Sequence, residues 1–259
     1  MVPCITTIAF RNTPLYLEEI LPKVAAAGYM QIEVWGGHIE ERDDNEMPVI
    51  AELAERHNLT IPMVSCYLGT FDLAMTNMNA ELRKADFAAM MGRLLGVRYL
   101  RAFAGYVMEC SSRDANEAYW AYCMDGLREI TRVARESGLT VAVETHKLTL
   151  ADTVKGCQRI IKEMDGLPVK LILQLDGPAE TEHLSPLDVW KELKEHVVHF
   201  HQKPETSPYP VRILRELFDK MREDGYKGAI SIEAAHPNVK PEPVLKRGME
   251  LLRTLGVVS

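Results

Sequence analysis

Hydrophobic and polar residues alternate along the chain in two distinct patterns. Short runs rich in apolar and β-branched residues predict strands, and longer segments with apolar residues at helical spacing predict helices. The two patterns follow each other eight times. The predicted strands are 4–10, 30–34, 60–67, 97–103, 140–144, 169–175, 197–201 and 229–233. The predicted helices lie near 15–27, 48–57, 79–95, 114–137, 151–164, 186–195, 210–224 and 241–255.

Glycine and proline mark the ends of several predicted helices. Glycines that follow a helical stretch, where a left-handed cap favours glycine, are Gly28, Gly96, Gly138 and Gly225. Prolines that precede one are Pro14, Pro48, Pro186, Pro210 and Pro241. Regular alternation of strand and helix implies parallel strands joined by right-handed crossovers, and eight such units close a barrel. Because no G-x-G-x-x-G follows the first strand, we predict one (β/α)₈ TIM barrel over residues 1–259 rather than an open doubly wound sheet.

Composition and charge narrow the class of protein. The chain is 47% hydrophobic and 26% charged, and its net charge of -7 disfavours broad binding to nucleic acid. Five cysteines without a C-x-x-C pair are typical of reduced thiols. The first ten residues resemble a strand more than a signal peptide, and no apolar run approaches the roughly 18 residues of a membrane span. We therefore expect a soluble, cytoplasmic protein with no membrane partner.

Each of the last four predicted strands ends in, or is followed directly by, a residue of a type that commonly binds metals. These residues are Glu144, Asp176, His201 and Glu233. Functional groups of a parallel barrel gather at the carboxyl ends of its strands, so the four side chains should meet there. Three carboxylates would repel one another in a partly dry pocket unless a cation lay between them. The pattern predicts one divalent metal ion, with Mn²⁺ favoured and Mg²⁺, Co²⁺ or Zn²⁺ as alternatives.

A single charged residue at a strand end is more often a solvated cap or an ion-pair partner than a ligand. Four consecutive strands that end in complementary ligand types are much harder to explain in that way. Within strand six, Gln174 and Asp176 share one face, as His199 and His201 do in strand seven. Asp176 and His201 are the favoured ligands, and Gln174 remains an alternative in strand six.

Three further residues near strand ends are expected to contact the substrate. Glu33 and Trp35 come at the end of strand two, where Trp35 would form a wall for a sugar face. The alternative for Trp35 is a loop aromatic that covers the barrel mouth. His146 lies two residues after Glu144 and would bind either the substrate or that carboxylate.

Two cations complete the predicted pocket. Arg101 lies late in strand four, where a buried guanidinium needs an anionic partner such as Glu144 or the substrate. A purely structural ion pair is the commoner role for such an arginine. Lys203 would neutralise an anionic group of the substrate, and a simple surface lysine is the alternative.

Five stretches of the chain resemble the xylose isomerase-like TIM-barrel family of sugar phosphate isomerases and epimerases. They are residues 100–105, 141–146, 148–153, 199–203 and 230–233. The resemblance implies that the strand-end residues above bind the metal. It also implies that Glu144 and Glu233 exchange a proton with the substrate carbon on opposite sides of a metal-held enediolate. The expected substrate is a small sugar-like or polyol-derived hydroxycarbonyl compound, and the expected assembly is a homodimer or homotetramer.

The chain departs from the family pattern at two positions. Ala179 stands where many members have histidine, three residues after the strand-six aspartate, and Pro204 stands where many have aspartate. Other activities therefore remain open. A dehydratase would use the same intermediate and expel a β-hydroxyl, and a phosphodiester hydrolase of the endonuclease IV type or a non-catalytic sugar-binding protein are the remaining alternatives.

Overall fold

Eight parallel strands form a closed barrel in chain order, from β1 to β8. The computed structural model describes residues 1–72, 76–105, 110–203, 208–236, 238 and 240–258. The strands are β1 (Val2–Thr6), β2 (Gln31–Trp35), β3 (Met63–Ser65), β4 (Tyr99–Ala102), β5 (Thr140–Glu144), β6 (Val169–Gln174), β7 (Val197–Gln202) and β8 (Ala229–Ile232). Pairing of β1 with β8 closes the barrel. The predicted fold is confirmed.

Helices surround the barrel. They are α1 (Leu17–Ala26), α2 (Glu46–Arg56), α3 (Met78–Leu94), α4 (Glu117–Glu136), α5 (Val154–Glu163), α6 (Pro178–Glu182), α7 (Pro186–Leu193), α8 (Val211–Glu223) and α9 (Pro241–Thr254). The short helix α6 was not predicted. In the part of the chain that the structure describes, every helix is too short or too polar to cross a membrane.

The packing of α8 on β7 shows how the amphipathic pattern orients the strands. Leu214, Leu217, Phe218 and Met221 recur at helical spacing and are buried. Phe218 meets Phe200 of β7 with ring centroids 5.2 Å apart. Because successive side chains of a strand point to opposite faces, the outward Phe200 leaves its neighbours His199 and His201 facing the barrel interior.

Several predicted strands are longer than the observed ones, and strands one and three differ most. Strand one was predicted to reach residue 10, but β1 ends at Thr6, whose hydroxyl accepts a hydrogen bond from Ile8 N, and residues Thr7–Phe10 form a 3₁₀ turn. Strand three was predicted over 60–67, but β3 is confined to Met63–Ser65. Pro62 precedes it and has no N–H to donate to the sheet. The left-handed glycines after helices are confirmed, for example at Gly138, where φ is 76°.

The barrel interior changes from apolar to polar toward the carboxyl ends of the strands. Met63, Ala142 and Ile172 form a small apolar cluster inside. Two residues further along the same strands, the interior positions are Ser65, Glu144 and Gln174, all buried. Closed parallel barrels usually fill their interior with branched apolar side chains, so this polar upper layer needs a chemical explanation.

Candidate active site

Glu144, His201 and Glu233 converge inside the carboxyl end of the barrel. Glu144 ends β5, His201 lies near the end of β7 and Glu233 follows β8 directly. His201 Nδ1 lies 3.8 Å from Glu144 Oε1 and 3.8 Å from Glu233 Oε1. One ligand atom from each of the three residues lies within 4.8 Å of the other two. Adjacent ligands of an octahedral Mg²⁺ ion are about 3 Å apart, so small shifts would bring the three onto one ion.

The ring of His201 is held from the side away from these carboxylates. Its Nε2 atom contacts Glu33 Oε1 at 3.2 Å and Glu33 Oε2 at 3.1 Å. Its Nδ1 atom is buried and has no hydrogen-bond partner within the described part of the chain. A buried nitrogen left unpaired between two carboxylates is the arrangement expected of a metal ligand.

Asp176 lies beyond the end of β6 and, unlike the three candidate ligands above, is bound by a lysine. Its Oδ2 atom accepts a hydrogen bond of 2.7 Å from Lys203 Nζ, and its Oδ1 atom is buried without a partner among the described residues. Gln174, the last residue of β6, has no partner there for either amide atom. Asp176 as the fourth ligand therefore stays a prediction, and Gln174 remains its alternative.

Arg101 supplies a buried positive charge beside the carboxylates. Its Nη1 atom donates to Glu144 Oε2 at 2.9 Å and lies 3.9 Å from Glu233 Oε1. The guanidinium also stacks over two aromatic rings, 5.1 Å from the centroid of Tyr67 and 5.0 Å from that of Phe103. Such contacts stabilise a cation held away from water.

The pKa values of Glu144, Glu233 and His201 show that negative charge exceeds positive charge at this end of the barrel. Burial alone would raise the pKa of Glu144, but Arg101 and His201 outweigh it and hold that pKa below its ordinary value. Burial, reinforced by Glu144, raises the pKa of Glu233. Burial alone would lower the pKa of His201, but Glu33 and Glu233 outweigh it and hold that pKa well above the ordinary value. The three side chains thus favour an additional cation between them.

Glu33 is buried within β2. Its side chain has 0% exposure and is held by neighbours in the barrel interior, and its predicted contact with the substrate stays a prediction. Four groups surround its carboxylate: His199 Nε2 at 2.9 Å, His201 Nε2, Ser231 Oγ at 2.9 Å and Ser65 Oγ. Ser65 and Ser231 went unnoticed in the sequence, although each is a small polar residue at an inward position between apolar neighbours.

The other residues predicted to contact the substrate lie around the carboxyl-terminal mouth of the barrel. Trp35 ends β2 and meets His38 edge to face at 5.4 Å. His146 Nδ1 donates to the Lys147 carbonyl at 2.8 Å, and the ring lies against Phe103 at 5.9 Å. Lys203 lines a small cleft with Gln174, Asp176, Glu180 and His201. The structure therefore brings Lys203 to the proposed ligands. Trp35 and His146 instead pack against the rings of His38 and Phe103.

The donor set suits one divalent cation. Eight buried side-chain atoms lack a partner in the described residues, and five of them belong to Arg101, Gln174, Asp176 and His201 at this end of the barrel. Native proteins leave few such atoms unpaired, and a bound ion or substrate is a usual reason. Both groups of potential ligands found among the described residues contain His201, which favours a single ion.

A second cavity, of about 730 Å³, opens at the opposite end of the barrel. Arg98, Tyr99 and Lys227 are among its lining residues. We place the chemistry at the carboxyl end because the convergent carboxylates, the imidazole and most of the unpaired polar atoms lie there.

Comparison with known proteins agrees with this architecture. The family model described as xylose isomerase-like TIM barrel matches residues 21–255. A 3-dehydroshikimate dehydratase of Bacillus anthracis is 24% identical over 205 residues, which cover 76% of this chain and 69% of that protein.

Solved structures share the fold at low sequence identity. The probable 3-DHS dehydratase AsbF of Bacillus anthracis superposes with a TM-score of 0.81 at 21% identity, covering 98% of this chain and 99% of that one. A D-psicose 3-epimerase from Clostridium cellulolyticum H10 gives a TM-score of 0.82 at 15% identity, covering 100% and 99%. A xylose isomerase-like protein from Mycobacterium smegmatis, in complex with magnesium, gives 0.73 at 15% identity, covering 99% and 97%. The chain therefore belongs to the xylose isomerase-like TIM-barrel family.

Proposed function

We propose that the chain is a divalent-metal-dependent isomerase or epimerase acting on a small sugar-like or polyol-derived hydroxycarbonyl compound. The observation that carries the proposal is the pair of buried carboxylates, Glu144 and Glu233, each 3.8 Å from the unpaired Nδ1 of His201. Two carboxylates at one reacting carbon can remove a proton and return it from another direction, which is the chemistry of isomerisation and epimerisation.

Glu144, His201 and Glu233 would hold the ion, with Asp176 as the fourth ligand and Mn²⁺ as the expected metal. When bound, the ion would polarise the substrate carbonyl and lower the cost of the charge that develops on proton removal. The acidic set with one imidazole and no thiolate agrees with a hard or borderline cation.

The protein's own residues would divide the work by position. Arg101 keeps Glu144 ionised and ready to accept a proton. Lys203 pairs with Asp176 and lies 3.9 Å from Glu233 Oε2, where it would offset the negative charge of an anionic substrate group or intermediate. Tyr67 and Phe103 shield Arg101 from water, and Trp35 and His146 would contact the substrate at the mouth.

The test is the replacement of either glutamate. In Mn²⁺-supplemented enzyme, Glu144→Gln or Glu233→Gln should lower turnover by roughly 10²- to 10⁴-fold, because an amide cannot carry the proton. Exchange of the substrate C–H with D₂O should disappear in the same variants. Glu216→Gln, which changes a partly exposed carboxylate of α8 that pairs with Arg212, is the matched control and should keep turnover. Full activity of both glutamate variants would disprove the assigned roles.

A dehydratase is the second candidate, and similarity to the 3-dehydroshikimate dehydratase of Bacillus anthracis favours it. The first step would be the same proton removal, followed by departure of a β-hydroxyl group. Lys203, close to both Asp176 and Glu233, would protonate that leaving group. Incubation with 3-dehydroshikimate and with a panel of ketoses separates the candidates, since only dehydration lowers the product mass by one water.

A further inference from the structure

We propose that Glu33 is a positioning residue that fixes both the ring orientation and the tautomer of His201. The inference rests on the proposed metal site and names the residue that prepares its imidazole ligand. It assigns a function to a buried carboxylate that would not touch substrate or metal.

The contacts of Glu33 determine which nitrogen of each histidine carries a proton. An ionised carboxylate accepts hydrogen bonds and cannot donate them. Glu33 Oε2 lies 2.9 Å from His199 Nε2 and 3.1 Å from His201 Nε2, both normal lengths for N–H···O bonds. Both Nε2 atoms therefore carry protons, and neither is free to bind a metal in the space around Glu33.

The contact with Glu33 also determines which nitrogen of His201 faces the proposed metal site. Because Nε2 donates to Glu33, Nδ1 is the nitrogen left to bind the ion, which would take the place of any proton on it, and this atom faces Glu144 and Glu233. A carboxylate bound to the far nitrogen of a ligating histidine also raises the basicity of the ligating nitrogen. Glu33 would thus select the tautomer that the site needs and strengthen it as a ligand.

The other neighbours of Glu33 hold the carboxylate in place. His199 and Ser231 contact Oε2, and Ser65 donates to Oε1, so the group is bound from β3, β7 and β8 as well as from its own strand. A buried charge is tolerated when hydrogen bonds satisfy its lone pairs, and here the donors come from several directions. The carboxylate cannot swing toward the metal site without losing these bonds.

The competing explanation is a purely structural network that stabilises the barrel interior. The two explanations differ in what they predict for metal affinity. A structural network would change the stability of the unliganded protein and leave Mn²⁺ binding alone, whereas a positioning residue would change the Mn²⁺ affinity itself.

The experiment is titration of chelator-treated protein with MnCl₂ by calorimetry, with the unliganded melting temperature measured in parallel. Glu33→Gln should weaken Mn²⁺ binding on the order of 10- to 100-fold, because the amide loses the charge and one acceptor. The electron paramagnetic resonance spectrum of bound Mn²⁺ should change as well. Ser231→Ala is the matched control: it removes one hydrogen bond from Glu33 but keeps the charge and both imidazole contacts, so its Mn²⁺ affinity should stay within a few fold of wild type.

The outcomes separate the two proposals. If wild-type protein binds no Mn²⁺, the proposed metal site is wrong, and the role of Glu33 fails with it. If wild type binds Mn²⁺ and Glu33→Gln binds it equally well, only the positioning role is wrong. Should Glu33→Gln not fold, Glu33→Asp keeps the charge but withdraws it by one methylene, and unchanged Mn²⁺ affinity in that variant would overturn the proposal.

Discussion

Arg101 and Glu144 are two charged residues that compensate each other's charge in the barrel interior. Their side chains are only 3% and 2% exposed, and they are joined by a hydrogen bond of 2.9 Å. Ion pairs at this depth recover little net stability, because desolvation of both partners offsets their attraction. Removal of one partner lowers the stability far more, since it leaves the other charge buried without a counter-charge.

Arg101→Met should therefore destabilise the chelator-treated protein by about 3 to 5 kcal/mol. Urea unfolding followed by circular dichroism measures the change. Arg98→Met, which alters an exposed arginine in the same segment, should change the free energy of unfolding by no more than about 0.5 kcal/mol. Equal effects of the two substitutions would show that Arg101 does not compensate a buried carboxylate.

Residue type predicted which side chains gather at the candidate site, but it did not identify the hydrogen-bond partners of each one. Glu144, His201 and Glu233 were selected because carboxylates and imidazole at strand ends are metal ligands, and the structure brings them together. Glu33 was expected to face the substrate, yet its contacts come from β3, β7 and β8. Such partners are distant in the sequence, so local pattern cannot identify them.

Helix termini show how local sequence sets the length of an element. The α4 helix begins after Asn116, whose side-chain oxygen accepts a hydrogen bond of 2.9 Å from Tyr119 N. This bond satisfies one of the backbone donors that a helix leaves unpaired in its first turn.

Asn116→Ala should lower the free energy of unfolding by about 1 kcal/mol, since alanine cannot cap the helix. Asn116→Ser retains a capping oxygen and should remain within a few tenths of a kcal/mol of wild type. Chemical denaturation of the three proteins tests this, and equal stability of the alanine and serine variants would contradict the role of the cap.

The contact between α7 and α8 predicts an acid-sensitive contribution to stability. Asp224, which caps α8, is bound by Lys220 Nζ at 2.8 Å, Trp190 Nε1 at 3.0 Å and Lys194 Nζ at 3.2 Å. Hydrogen bonds from Lys220 and Trp190, with help from Lys194, lower the pKa of Asp224 to about 2. The stabilisation is therefore complete above the unfolded pKa of about 3.9 and is lost as pH falls toward the folded value.

Asp224→Asn should accordingly be less stable than wild type at pH 7, and the difference should shrink between pH 5 and pH 2. Melting temperatures of both proteins across that range measure the effect. A difference that stays constant or grows on acidification would show that the ionised carboxylate is not the source of the stability.

For the whole molecule, the proposed ion should stabilise the folded barrel. The proposed ligands come from β5, the β6 end, β7 and the β8 end, so the unfolded chain has no equivalent site. Mn²⁺ at about 100 times its dissociation constant should add roughly 2.7 kcal/mol, which corresponds to a rise of about 5 to 10 °C in Tm for a domain of this size.

Differential scanning calorimetry with and without MnCl₂ measures that rise. The double variant Glu144→Gln/Glu233→Gln lacks two proposed ligands and should show little or none of it. An equal rise in the double variant would place the bound ion elsewhere in the molecule.

The sequence by itself determined the order of elements, the closed parallel barrel and the end of the barrel at which the candidate ligands gather. These follow from local periodicity and from eight repeats of one unit, which short segments already contain. The tertiary structure alone decided that Glu33 holds His201 and that Lys203 binds one oxygen of Asp176, and it selected Glu144 among the partners that the sequence left open for Arg101. Each of these contacts joins different strands or their following loops, so its geometry depends on barrel closure and strand register, which no single segment encodes.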